Sequence, residues 1–174
     1  MKQMLRFKIN NLAEDILKNN NIIVPIKNIK EVVELLGGKV SEKEDMNCYS
    51  TGNIKKGNNN MYFEICIPKG QSENRRNFAI TNQLGHLFLH MGYCINEDLW
   101  NSFDNDQMLN INDNIEAKQQ ASEFALAFLM PIKLYKEVFD KYSNNNRVLL
   151  GKVTEYFNVS IDVAFNRGKS LGYF

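Results

Sequence analysis

The chain has 174 residues, 44% of them apolar and 11% aromatic, enough to bury one sizeable core and too many for a disordered protein. Its formal net charge of +1 offers no global field to nucleic acid or to an anionic membrane. Cys48, Cys66 and Cys94 are odd in number, far apart and outside any CxxC pattern, which predicts reduced thiols in a cytosolic protein. No signal-type apolar region and no run of transmembrane length is expected.

Leu5, Ile9, Leu12 and Ile16 recur at helical spacing and stop at Asn19, Asn20 and Asn21. Pro25 precedes a second amphipathic stretch, Ile29, Val32, Val33 and Leu36, with Gly37 and Gly38 as its stop. Val40, residues 49–51 and Ile54 fit short strands. Met61, Phe63, Ile65 and Ile67 alternate with Tyr62, Glu64 and Cys66 between Asn58, Asn59, Asn60 and Pro68, which predicts a strand. Ser72 suits the N-cap of a long helix reaching about Met91. The Asn- and Asp-rich stretch 96–114 reads as a long loop or lid, and its Trp100 and Phe103 should pack back onto the body or contact a partner. Ala117, Ala121, Phe124, Ala125 and Phe128 mark a further helix that ends at Met130, because Pro131 disfavours helix before it. Pro131 can open the next, carrying Ile132, Tyr135, Val138, Phe139 and Tyr142. Two helical patterns, 148–157 and 160–171, flank a turn at Asn158 and Val159.

The long helix carries the chemistry. Ile80, Leu84, Leu87, Phe88 and Met91 gather on one side and Phe78, Gly85 and Leu89 on a flank, leaving a sector of Ala79, Asn82, Gln83, His86 and His90. A helix this apolar is buried, and a buried polar stripe must meet hydrogen-bond partners or a metal, at a cost on the order of a few kcal/mol otherwise. A satisfied polar network and a functional cleft both meet that demand.

The stretch NFAITNQLGHLFLH, 77–90, resembles the ImmA/IrrE family pattern of an apolar lead-in to HELGH and a further His; Phe78, Leu84, Gly85, His86 and His90 match. QASEFALAFLMP, 120–131, is similar to the family's second block at Ala121, Phe124, Ala125, Leu129, Met130 and Pro131, and EYFNVSIDVAFNRGKSLG, 155–172, to its tail. The resemblance implies an α+β, mostly helical, zincin-like metallopeptidase domain over 1–142, with a sheet of about three strands against the long helix. A C-terminal helix-turn-helix-like hairpin over 143–174 would pack on the same domain. It also implies a role for each matching position. The first zinc ligand falls on Asn82, the general base on Gln83, the second ligand on His86 and the third on Gln120.

Three of those four roles therefore fall to neutral amides. Zinc favours imidazole, thiolate and carboxylate, and Gln83 cannot take a proton from water near neutral pH. The expectation is a degenerate member with no metal or other cofactor, in which Asn82, Gln83, His86 and Gln120 form a hydrogen-bonded plug. Such a pseudoenzyme would bind a protein, the resemblance implying a repressor or transcriptional regulator, such as one of a mobile element. One alternative keeps an active zinc endopeptidase by relocating the metal to His86, His90, Cys94 and Glu116. A second alternative is DNA binding through the hairpin, using Arg147, Lys152, Arg167 and Lys169, although Glu155 and Asp162 dilute that charge.

Overall fold

The computed structural model describes residues 2–47, 51–58, 61–110, 114–144 and 147–174. Cys48, Tyr49, Ser50, Asn59, Asn60 and the side chain of Arg147 lie outside the described residues. Two helices come first, α1 (Gln3–Asn19) and α2 (Ile29–Leu35), the latter capped by Asn28, whose side chain accepts from the Lys30 amide. Three strands follow: β1 (Gly38–Lys43), β2 (Asn53–Lys56) and β3 (Phe63–Pro68). They form one sheet in the order β1-β3-β2, with β1 parallel and β2 antiparallel to β3.

The alternation in β3 explains the sheet's two faces. Phe63, Ile65 and Ile67 are fully buried, and Val40 and Ile54 both pair with Ile65 in register. Glu64 points the other way, between the ammonium groups of its cross-strand neighbours Lys39 at 3.7 Å and Lys55 at 3.2 Å.

Against this sheet lies α3 (Glu73–His90), which starts after Ser72 and ends at the C-cap Met91. Next come the short α4 (Glu97–Asn101), then α5 (Ile115–Leu129) and α6 (Ile132–Lys141). The two-residue strands β4 (Ser143–Asn144) and β5 (Arg147–Val148) pair with each other ahead of α7 (Leu150–Phe157) and α8 (Ile161–Leu171). Asn158 turns the chain between the last two helices in a left-handed conformation, φ 52°. Val153, Phe157, Val159 and Val163 share one apolar cluster with Ile9, Leu84 and Phe124, so the tail and the front of the chain are built on the same core.

Over residues 96–110, the polar stretch expected to be a loop is more ordered than its composition suggests. Asn96 caps α4 by accepting from the Leu99 amide at 3.0 Å. Beyond α4 the backbone runs along the outer edge of β2. The Lys56 amide donates to the Gln107 carbonyl (3.1 Å), the Asp106 amide to the Lys56 carbonyl (2.9 Å) and the Leu109 amide to the Ile54 carbonyl (3.0 Å). Trp100 packs edge-on against Tyr93, and the Lys56 ammonium donates to the carbonyls of Trp100 and Phe103. Both aromatics thus fold back onto the body. Among the described residues no helix is long and apolar enough to cross a membrane.

Arg167 departs from the expectation of a cation available to DNA. It is fully buried, donating from Nε to the Met130 carbonyl at 2.9 Å and from Nη1 to Glu123 Oε1 at 3.4 Å. Its position explains this, since Val163, Ala164 and Arg167 fall on one helical face. Glu123 also accepts from Asn10 Nδ2 at 2.9 Å and pairs with Arg6 Nε at 3.3 Å, so one buried carboxylate ties α1, α5 and α8 together.

Candidate active-site cleft

The stripe on α3 is buried: Asn82, Gln83 and His86 are all at most 4% exposed. What faces it is α5, brought close by Gly85. A Cβ at that position would stand 2.8 Å from the Ala121 carbonyl oxygen and 2.9 Å from its Cα, so only glycine lets the two helices approach this far. The approach sets Gln120 and Ser122 of α5 opposite the stripe.

Each polar group then finds a partner. Asn82 Nδ2 donates to Ser122 Oγ at 3.2 Å. Gln83 Nε2 donates to the carbonyls of Thr51 and Gly52, both at 3.1 Å, just ahead of β2. His86 and His90 meet through their Nδ1 atoms at 3.0 Å, His90 Nε2 meets Gln120 Oε1 at 3.1 Å, and Gln120 Nε2 donates to Glu116 Oε1 at 3.3 Å.

That chain has one consistent polarity. Glu116 accepts, so the Gln120 amide nitrogen faces it and the Gln120 oxygen faces His90. The oxygen can only accept, so His90 carries its proton on Nε2 and offers a bare Nδ1 to the N–H of His86. His86 is left with its proton on Nδ1 and an unprotonated Nε2. Burial pushes the His86 pKa down to about 3, with the His90 and Lys118 charges acting in the same direction. Burial lowers His90 as well, opposed by its bond to Gln120. Both rings are neutral at pH 7.

The four positions expected to plug the cleft are thus brought to one face, with a different wiring. Gln120 reaches His86 only through His90, Asn82 turns to Ser122, and Gln83 turns to backbone. Ser122 and the carbonyls of Thr51 and Gly52 are partners that the sequence did not single out. Cys94 is exposed and sits in a left-handed turn beyond Met91, with φ 56°. Among the described residues no three His, Cys, Asp or Glu side chains gather in a way that could hold a metal ion. Two amides and one imidazole, at Asn82, Gln120 and His86, are a donor set ill suited to zinc.

A three-stranded sheet backing a helix whose polar stripe faces a second helix across a glycine contact defines an α+β, mostly helical domain. The peptidase family described as IrrE N-terminal-like domain matches residues 50–167, and the chain belongs to this family, the ImmA/IrrE family. The fold is shared with a Mycobacterium tuberculosis transcriptional regulator, at a TM-score of 0.58 and 15% identity over 92% of this chain. The match covers 46% of that protein, so this chain spans about half its length. No curated protein matches the chain significantly.

Proposed function

We propose that this chain has given up peptidase chemistry and retains its cleft to bind a protein, a repressor or other transcriptional regulator, without cutting it. The observation that carries this reading is the amide at three of the four chemical positions, each engaged in a hydrogen bond with a neighbouring protein group. With Gln83 in the base position, no side chain there can take a proton from an attacking water. Gln83 and Gln120 keep the shape of the glutamates expected there without their charge, and Asn82 keeps a polar group at the first ligand position, which spares the buried cleft a pair of uncompensated carboxylates.

Metal analysis after dialysis against zinc tests this. The unmodified protein takes up no zinc, and the triple change Asn82→His, Gln83→Glu and Gln120→Glu gains stoichiometric zinc. Equal zinc in the two forms, or chelator-sensitive peptide hydrolysis by the unmodified chain, defeats the proposal. The contact between His86 and His90 favours a second reading, a relocated metal site completed by Glu116; it requires zinc uptake by the unmodified chain that His90→Ala abolishes.

A further inference from the structure

Between α5 and α8 the surface opens into a groove of about 750 Å³. α5 lines it with Lys118, Ser122 and Leu126, α8 with Val163, Asn166 and Lys169, each set at the three- and four-residue spacing of one helical face. Phe78 of α3 adds an aromatic surface. The groove adjoins the cleft described above at Ser122, whose hydroxyl is the partner of Asn82.

Its charge is lopsided. Glu123 is the one carboxylate among the described lining residues, and it lies between two guanidinium groups, Arg6 at 3.3 Å and Arg167 at 3.4 Å. Against that carboxylate the lining carries Arg6 and the exposed Lys169, which leaves the groove a positive excess. Arg6 also donates to the Ser170 carbonyl, fixing a cation beside the last turn of α8. An apolar floor of Phe78, Leu126 and Val163 under a cationic rim is the complement of a helix with apolar and acidic faces. Two helical walls also leave the ridges into which a third helix packs.

We infer that this groove docks an acidic amphipathic helix of the protein partner, its apolar side chains on Phe78, Leu126 and Val163 and its carboxylates toward Arg6 and Lys169. This rests on the protein-binding reading above and is independent of the loss of the metal. A nucleic-acid backbone is the poorer occupant. Phosphates gain nothing from the apolar floor, and the chain's net charge of +1 supplies no wider field.

The test uses the full chain and a fluorescein-labelled helical peptide with Leu at i, i+3, i+4 and i+7 and Glu elsewhere, beside a counterpart with Lys for every Glu. Fluorescence anisotropy at low salt should show binding of the Glu peptide alone. Lys169→Glu should weaken it about fivefold, in line with loss of an exposed charge pair. Asn166→Trp, which fills the groove from an exposed position, should weaken it about tenfold or more. Circular dichroism verifies that both variants stay folded. Equal binding of the two peptides, no binding of either, or Glu-peptide binding indifferent to both substitutions overturns the inference. So does duplex DNA that binds in place of the peptide and is lost with Lys169→Glu. Zinc uptake by the unmodified chain would defeat the pseudo-peptidase reading and leave these binding results standing; an empty groove would leave that reading untouched.

Discussion

His86 lies on the inner face of α3 at 1% exposure, and desolvation there holds its pKa at about 3, against about 6.5 for a histidine in an unfolded chain. Because the unfolded chain takes up the proton first, folding stability is complete above about pH 6.5 and falls as the pH drops toward 3. The slope is about 1 kcal/mol per pH unit, and the lowered His90 adds to it in the same direction. Urea unfolding midpoints at pH 7, 6 and 5 should therefore decline steadily. Glu42, lowered by its hydrogen bond from Lys30, and Glu64, where burial is outweighed by hydrogen bonds from Ser41 and Lys55 and by the nearby lysine charges, contribute their losses only at lower pH. An unchanged midpoint from pH 7 to 5 would show that His86 is not neutral and buried as described. At this scale the sequence revealed the stripe but not its wiring. Helical spacing alone puts Asn82, Gln83, His86 and His90 on one face. Ser122 is forty residues from Asn82. The carbonyls that hold Gln83 belong to every residue type alike and leave no mark in a sequence.

Among the elements, the junction of α1, α5 and α8 depends on a buried ion pair. Arg167→Met removes the fully buried guanidinium and leaves the carboxylate of Glu123 with Arg6 and Asn10 but without its buried cation, which should cost about 3 kcal/mol. Adding Glu123→Gln neutralises that carboxylate and keeps an acceptor for Asn10, so the double variant should recover much of the loss. Chemical denaturation of the two variants checks this, and equal stabilities would mean that the pair is not what joins these helices. From its charge Arg167 reads as available to DNA, whereas its spacing from Val163 and Ala164 puts it on the buried face. β3, α3 and α5 were legible because their apolar periods run for several turns or alternations. α4 was not: its five residues are too few to show a period, and its capping Asn96 looks like any asparagine in a polar run. β4 and β5, two residues each, lie below the length at which alternation exists.

For the molecule as a whole, one core unites the sheet, α3, α5 and the tail, and resistance to opening should follow it. In native-state hydrogen exchange, the amides of Ile65 and Leu84 should open only with global unfolding. Those of Lys56 and Leu109, joined across the β2 edge beside the exposed residues 104–108, should exchange roughly a hundredfold faster. Equal rates would make residues 106–109 as integral to the fold as β3. The order β1-β3-β2 and this extra run along β2 were beyond the sequence, because strand order is decided by packing between distant segments and not by local pattern.

A three-stranded sheet has two outer rims, and a bare rim invites another strand, including one from a second copy of the same chain. Here β1 carries Lys39, Glu42 and Lys43, whose charges discourage such stacking, while residues 106–109 already occupy the amides and carbonyls that β2 would otherwise display. At the high concentrations where partly open sheets polymerise into fibres, that short stretch of backbone stands as the molecule's guard against joining itself end to end.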